Sequence, residues 1–547
     1  MGTLANALCT VAVDTGLPQL TIETSAYVCE GAAGSVPPGV NGMNDWREPE
    51  IYSYDLITNT KKRHILEGSD LANLRGTTGL RAVGAVGNVI LLGGPAHNED
   101  AIYLFAFRND TGELVGSIKL TQYDNIRSIT RIGNQLYLAV SEPTVGGAII
   151  RWTGTETTPF AFVTVGTLDG QGAFMTEHEG HLFVSTWPSL SAATTLIGLK
   201  SPGIFMSGPL GPNGMLPEST APFTSVFRFS DYEPDPITSL SYAGGAMASY
   251  QGYLYWGSMH FPAAGVMVAT LAHQFCSTSP LCNYNLDADF DGELGPLELL
   301  GAFLGTYRAT SVFRGQDFGG GTPDIELLYG NPVLPAYDPV TRTYLNPVPN
   351  NFPDPEPLYG LSGFNDFFNL YSWTMAVHRG SLFVGTFDWT FLIGSEFFTS
   401  DAFRLMLMSL LESDVADELT PEMLAQIRFP LIFPGADIYR FDDSTSFALP
   451  EAIAGIGNIA NYGVRTMVAD ENLWIGTANP MNLLTDIPPI EDIEIDGGWE
   501  VIQMGDAPLR LGSLPVPVLS ALGTFILSVL LIGTVWWRQR RSYKPQT

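Results

Sequence analysis

Leu473, Trp474, Ile475, Gly476 and Thr477 recur in altered wording along this chain, and no other feature restricts its fold as tightly. Residues 382–386 read Leu-Phe-Val-Gly-Thr, 254–258 Leu-Tyr-Trp-Gly-Ser, 182–186 Leu-Phe-Val-Ser-Thr and 136–140 Leu-Tyr-Leu-Ala-Val, with 89–93 as a weaker copy. Each is a short apolar run rich in aromatic and β-branched residues, which predicts a strand. Gly133, Gly180, Gly252 and Gly380 stand just ahead of four copies, where a tight turn delivers the chain into that strand. Repetition of one unit implies an array that buries its core by stacking neighbours, so much of a 547-residue chain can form a single domain.

Around each copy lie further strand signals. An apolar segment precedes it, as at 372–377 and 464–468, and an alternating aromatic segment follows, at 102–107, 149–152, 226–229, 312–314 and 438–441. Residues 51–54 and 499–502 are unpaired end copies of the third strand, and a poorer fourth strand follows at 113–120 and 160–165. Four antiparallel strands repeated about an axis make a β-propeller blade, which leaves only short sheet edges. The undecorated spacings, 47 residues from Val89 to Leu136 and 46 from Leu136 to Leu182, suit such blades. The expectation is an all-β, six- or seven-bladed β-propeller over residues 31–506, with seven blades favoured and residues near 20–28 completing the first. The content of 58 Gly and 38 Pro agrees with many short strands and turns. The Leu-Trp-Ile-Gly-Thr wording also resembles the two-component-regulator type of propeller repeat.

Later spacings lengthen to 72, 128 and 91 residues. The added segments, 188–223, 259–310, 388–436 and 479–497, fall between the repeated second strand and the aromatic third strand. Strand direction alternates identically in every blade, so these loops are expected on one mouth of the central channel. Residues 400–428 read as helical, with Phe403, Leu405, Met406, Leu407, Leu410 and Leu411, then Thr420 capping a helix that starts at Pro421. This insertion either packs on the propeller face or serves as a lid or partner-binding helix.

The sharpest local motif lies in the second insertion. From Asp287 to Glu298, carboxylates occupy positions 1, 3 and 5 (Asp287, Asp289, Asp291), Gly292 occupies position 6, Leu294 position 8 and Glu298 position 12. This is the pattern of an EF-hand loop, which gathers hard oxygen ligands for Ca²⁺. The expected ligands are the side chains of Asp287, Asp289 and Asp291, the Glu293 carbonyl, a water by Gly295 and both oxygens of Glu298. No second loop accompanies it, residues 276–282 make a poor entering helix, and residues 297–304 suit the exiting one. The expected role is structural, since bound Ca²⁺ neutralises carboxylates that otherwise repel.

Directly after the repeated strands come His97, Glu142, Trp187, His260, Asp388, Trp389 and Asn479, a candidate ligand face at one channel mouth. Such a mixture suits a sugar or small metabolite, and its His, Asp and Glu could hold a metal or act in general acid-base catalysis; the alternative is that these loop ends are polar because water reaches them. His178 and His181 flank a hairpin turn and are expected to be exposed. No nucleophile elbow, zinc-protease helix motif, phosphate loop or haem-attachment motif occurs, and no catalytic residue is assigned.

The formal charge of -30 repels nucleic acid and anionic lipid, which excludes nucleic-acid binding as the leading reading. Cys9 with Cys29 and Cys276 with Cys282 form two local pairs, the favoured disulfides among three connectivities, and they imply an oxidising compartment. Residues 507–517 read as a linker. Residues 518–537 are free of charge and long enough to span about 30 Å of hydrocarbon, and the tail 538–547 carries Arg538, Arg540, Arg541 and Lys544, expected on the cytoplasmic side. Residues 1–30 read as a signal-peptide remnant plus first strands, with Ala5-Asn6-Ala7 resembling a cleavage site and Met1 internal to the signal.

Val516, Pro517, Val518, Leu519, Ser520, Ala521, Leu522 and Gly523, followed by the apolar span and the arginines, resemble the bacterial IPTL-type C-terminal protein-sorting domain. Pro517, Leu519, Ser520 and Gly523 match its motif, while Val518 and Leu522 replace its Thr and Trp. The resemblance implies a bacterial membrane or cell-surface location and processing by a sorting protease; a plain membrane anchor is the alternative. The resulting expectation is an exported, membrane-anchored, calcium-binding propeller that acts as a surface binding protein, with an extracellular hydrolase or lyase of glycans or esters as the alternative.

Overall fold

The computed structural model describes residues 14–17, 21–25, 51–55, 60–77, 79–96, 99–143, 146–188, 200–215, 223–260, 262–278, 283–288, 290, 294–388, 435–459, 461–469, 472–478 and 500–504. The predicted transmembrane span, the helical insertion at 400–428 and the insertion at 479–497 lie outside the described residues. Among the described residues, no helix is long and apolar enough to cross a membrane.

Antiparallel meanders dominate the structure. The first sheet runs Ala82–Val86, Val89–Pro95, Ile102–Arg108 and Leu114–Leu120; the second Asn125–Ile132, Gln135–Ser141, Gly147–Trp152 and Phe162–Leu168. The third comprises Gln171–His178, His181–Trp187, Gly203–Pro209 and Thr224–Arg228, and the fourth Tyr242–Tyr250, Tyr253–His260, Val312–Gln316 and Asp324–Tyr329. The fifth comprises Asn369–His378, Ser381–Asp388, Ile438–Phe441 and Leu449–Ala452, and a sixth has Gly463–Ala469, Leu473–Ala478 and Val501–Met504; single pairings, Met259 with Tyr371 and Phe387 with Gly463, join the fourth, fifth and sixth into one continuous eleven-stranded sheet. First strands of consecutive sheets pack against one another throughout this series, giving a propeller-like succession of blades. Two further hairpins, Asp14–Leu17 with Thr21–Ser25 and Ile51–Asp55 with Thr60–His64, precede them.

All six copies of the repeated phrase are second strands. They are buried along nearly their whole length, and the four inner sheets are covered on both faces by neighbouring sheets. That double burial explains the continuous apolar runs. The hairpins leading into them turn through Glu179–Gly180, Gln251–Gly252 and Arg379–Gly380, where both residues have positive φ. This is the primed turn that matches strand twist, as the glycines predict.

The last two letters of the phrase also have physical causes. A Cβ on Gly257 would stand 1.8 Å from Ser372 Oγ, and one on Gly385 would stand 2.4 Å from Val464 Cγ1, in each case on the first strand of the next sheet. Glycine is therefore the residue that lets successive blades close. The following hydroxyl accepts the backbone N–H that opens the third strand: Gly203 N to Thr186 Oγ1 at 2.9 Å, Ser311 N to Ser258 Oγ at 2.8 Å, Asp437 N to Thr386 Oγ1 at 2.9 Å and Glu500 N to Thr477 Oγ1 at 2.8 Å. All four hydroxyl residues are buried.

One strand assignment is corrected. In the third sheet the third strand is Gly203–Pro209, and the predicted segment 226–229 belongs to the fourth strand, Thr224–Arg228. Flanking Gly and Pro disguise Gly203–Pro209 as a loop. Gly203 is required there, since a Cβ would lie 2.0 Å from the Phe227 carbonyl oxygen of the neighbouring strand. The insertion 188–223 is thus divided, with only its first part between second and third strands; the rest lies between the third and fourth strands, whose turns face the opposite end.

The insertion after His260 is a helical pair, Pro262–Thr278 and Pro296–Thr306, whose members pack together. The segment expected to make a poor entering helix, 276–282, begins inside the seventeen-residue helix Pro262–Thr278, while the exiting helix lies where predicted. The hairpin Val333–Asp338 with Thr343–Pro349, which follows the fourth sheet, supports the second helix through Tyr344. It belongs to the connection to the fifth sheet, which emerges at the same end as the second-to-third loops.

Thr386→Val keeps the side-chain shape but strands the Asp437 N–H. A buried unsatisfied donor costs about 1–3 kcal/mol, and a urea titration should show the midpoint falling with an unchanged slope.

Candidate functional site at the loop-bearing mouth

The fifth sheet concentrates carboxylates at the mouth. Asn369 opens its first strand, Asp388 closes its second and Asp437 immediately precedes its third, so the sheet's own register gathers them, and Asn369 pairs directly with Asp388. Asp366 lies in the connection three residues before Asn369. Asn369, Asp388 and Asp437 are buried and Asp366 is half-buried.

Asp437 Oδ2 accepts from Asn369 Nδ2 at 2.9 Å and from the Tyr439 hydroxyl at 3.1 Å, while Oδ1 accepts from Ala454 N at 3.2 Å. Despite these three donors, burial first and the Asp366 charge second push the Asp437 carboxyl up to about 7. Burial also raises Asp366, which receives one backbone N–H, from Phe368 at 2.8 Å. The Tyr439 hydroxyl rises well above its ordinary value because it is buried and faces Asp437, Asp366 and Asp388. Sequence reasoning found Asp388 and missed the other two. The overlooked signal is a carboxylate directly before a third strand, at Asp437 and again at Glu500.

The rest of the predicted ligand face is more dispersed. His97, Trp389 and Asn479 lie outside the described residues. Glu142 is half-buried, and its backbone N–H donates to the Gly146 carbonyl at 3.2 Å. Trp187 is an interblade spacer: its indole N–H donates to the Gly244 carbonyl at 3.0 Å, and the Arg127 guanidinium lies 3.4 Å from its ring centroid.

His260 is fully buried in a structural network. Its Nε2 lies 2.9 Å from Ser241 Oγ, whose hydroxyl donates to the Thr238 carbonyl at 2.7 Å, which assigns the ring proton to Nε2. Nδ1 has no hydrogen-bond partner among the described residues. Behind it, Arg308 grips Glu233 with two bonds of 2.7 and 3.0 Å, both side chains are buried, and Tyr242 donates to the same carboxylate at 3.0 Å. Arg308 also donates to the carbonyls of Gly305, Tyr307 and Pro335, so one buried cation ties the second insertion helix to the hairpin after the fourth sheet. His178, expected to be exposed, is buried between Phe183 and Phe318 with Nδ1 2.9 Å from Ser249 Oγ.

Of the predicted calcium ligands, Asp289, Asp291 and Glu293 lie outside the described residues. Asp287 is nearly buried, and the segment leading to it is pinned from two sides. Leu286 N donates to His273 Nδ1 at 3.1 Å, and Asn285 exchanges two bonds with the Tyr337 hydroxyl, at 2.8 and 2.7 Å. Arg342 donates to the Asp287 carbonyl at 2.8 Å, lies 3.5 Å from its carboxylate and covers the Phe290 ring at 4.0 Å. Glu298 sits in the first turn of the exiting helix. Cys276 is disulfide-bonded; Cys282, Cys9 and Cys29 lie outside the described residues. Among the described residues, no three His, Cys, Asp or Glu side chains converge as a metal-binding group.

No family model matches the chain, and no curated protein does. Among solved structures, it is similar to hydrazine synthase from Kuenenia stuttgartiensis at 10% identity, over 68% of this chain and 77% of that one, with a TM-score of 0.31. It is similar to the β-propeller domain of the trilobed protease from Pyrococcus furiosus at 9% identity, over 53% and 65%, with a TM-score of 0.26. A computationally designed protein, Ika4, aligns at 9% identity over 33% of this chain and 84% of its own, with a TM-score of 0.19.

His260 sets a pH dependence. Burial, and secondarily Arg308, lowers its pKa from 6.5 to about 3, so the folded protein favours the neutral ring. This stability is present above pH 6.5 and is lost as pH falls toward 3, at about 1.4 kcal/mol for each pH unit crossed. His260→Gln should flatten the decline of unfolding free energy across that window in denaturant titrations at several pH values; an unchanged slope would assign the decline elsewhere.

Proposed function

We propose that this chain is an exported, membrane-anchored, calcium-binding propeller that acts as a cell-surface interaction protein through its loop-bearing mouth. The supporting observation is where apolar surface is left uncovered. Met267, Phe290, Leu299, Val333, Val340, Leu358, Leu361 and Phe367 are exposed, and all eight belong to the insertions and connections between residues 262 and 368. Only five other large hydrophobic residues are exposed among the described residues, at Ile65, Val115, Val377, Phe447 and Leu449. Apolar side chains gathered on decorations rather than on the blades suit recognition of a protein or glycan partner.

In this reading the propeller has seven blades. The hairpins at 14–25 and 51–64 contribute to a first blade ahead of the six sheets. The segment 518–537 anchors the chain, the IPTL-like residues 516–523 present it to a sorting protease, and Cys276 pairs with Cys282. The loop from Asp287 to Glu298 binds Ca²⁺ and orders the helical insertion. Its support is the carboxylate spacing together with the two helices on either side and the pinned approach to Asp287.

Two measurements test this. In cells, full-length protein should fractionate with membranes and be digested by external protease, whereas a chain ending at residue 506 should be found in the medium; cytoplasmic recovery of both would reject export. In detergent, millimolar calcium should raise Tm by several degrees, and Asp287→Ala with Glu298→Gln should remove most of that rise. A calcium response untouched by the double substitution would reject the loop as the site.

A further inference from the structure

The fifth and sixth sheets share one device at the mouth, with a single chemical difference. In the sixth, Gly455, Asn458 and Asn461 precede the first strand; Asn461 Nδ2 donates to the Gly455 carbonyl at 3.0 Å and to Glu500 Oε2 at 2.5 Å, and Asn458 Nδ2 lies 3.4 Å from the same oxygen. In the fifth, Gly363, Asp366 and Asn369 repeat that spacing. Asn369 Nδ2 donates to the Gly363 carbonyl at 3.2 Å and to Asp437 Oδ2 at 2.9 Å. The backbone agrees as well, since Asp366 N donates to the Gly363 carbonyl at 3.1 Å and Asn458 N to the Gly455 carbonyl at 3.2 Å.

The correspondence places Asp366 where the sixth sheet has Asn458. There an amide N–H faces the carboxylate; here a second carboxylate does, and an ionised carboxylate cannot donate. A further unmet group lies in the same place. Asn369 is fully buried, its Nδ2 faces Asp437, and its Oδ1 has no hydrogen-bond partner among the described residues. Two carboxylates and an orphaned amide oxygen form a set of hard oxygen acceptors that neutral donors alone serve among the described residues, with no cation to balance the charge. Of the buried arginines, Arg308 is committed to Glu233 and Arg314 to Glu326.

We propose that Asp366, Asp437 and the Asn369 side-chain oxygen bind a Ca²⁺ ion at the channel mouth, a site separate from the loop at Asp287–Glu298. Hard oxygens of mixed charge are the donors Ca²⁺ selects. The ion joins the connection that enters the fifth sheet to the residue that opens its third strand. Through Ala454 N on Asp437 Oδ1, it also reaches the turn that leads to the sixth sheet. It therefore clamps two adjacent blades at the base of the insertion beginning after Asp388.

Asp366→Asn recreates the sixth-sheet pattern, so the variant should fold. The full chain is titrated with calcium by calorimetry, in the wild type and in an Asp287→Ala background that weakens the loop. One Ca²⁺ should remain in that background, and Asp366→Asn should then weaken it by about tenfold or more. In EDTA, Asp366→Asn should melt at or above the wild-type temperature, because it removes repulsion and supplies a donor. No ion bound in the Asp287→Ala background, or an affinity unchanged by Asp366→Asn, overturns the site. Should Asp287→Ala remove no ion, the loop reading fails, and Asp366→Asn in the wild-type chain still decides this one.

Discussion

The fold depends on the burial of the second strands, which in the four inner sheets lie between two neighbouring sheets. A strand covered on both faces carries apolar side chains at every position, and its polar needs must be met within the sheet or by a few internal hydroxyls. The phrase that recurs through the chain is the chemical statement of that condition. Leucine and the aromatic or β-branched residues fill both faces, glycine admits the next blade at Gly257 and Gly385, and threonine or serine satisfies the first amide of the third strand. In the second sheet the fifth letter is Val140, which has no hydroxyl to offer, and there the third strand follows the second after a short turn instead of a long insertion. The hydroxyl letter accompanies the blades whose second-to-third connection is long. It holds the third strand's start in place where no tight turn can.

Much of this was legible because apolar periodicity and turn glycines are local signals. All six second strands, the glycine turns, most third and fourth strands and the helix Pro296–Thr306 lie where the sequence places them. The failures share a cause, which is long-range contact overriding local composition. Gly203–Pro209 reads as a loop until the neighbouring strand at Phe227 is known. His178 reads as exposed beside a turn, yet Phe318, distant in sequence, covers it. His260 reads as a ligand because it follows the repeated strand, but the helical pair and the Arg308–Glu233 bond seal it into the interior. The acidic mouth was half legible. Asp388 follows the phrase directly, whereas Asp366 and Asp437 acquire meaning only once the register of the fifth sheet brings them together.

The Arg308–Glu233 pair shows how decorations stay attached to blades. Burying two charges costs several kcal/mol per ion unless the geometry and the remaining hydrogen bonds compensate. Here both carboxylate oxygens are engaged, and the guanidinium spends its other N–H groups on three carbonyls. Those carbonyls belong to the end of a helix and to a hairpin strand, so the pair fixes the angle of the insertion as well as adding contact. An apolar replacement of equal volume would fill the space without setting that direction. The insertion's exposed residues, Phe290 and Leu299 among them, are thereby presented outward in a defined arrangement.

The same logic separates the two acidic features of the mouth. Around Asp287 the positive charge is on hand: Arg342 supplies a guanidinium to the backbone and approaches the carboxylate, so this residue is held by the protein's own groups. Around Asp437 the described residues supply neutral donors only, from Asn369, Tyr439 and Ala454, and they leave Asp366 opposed to it. Neutral donors stabilise one carboxylate; they do not cancel two. The glutamate at position 500 meets the same architecture with amides on both sides and needs nothing more. A single exchange of carboxylate for amide, at one turn of one blade, therefore divides a structural lock from a place where a cation belongs.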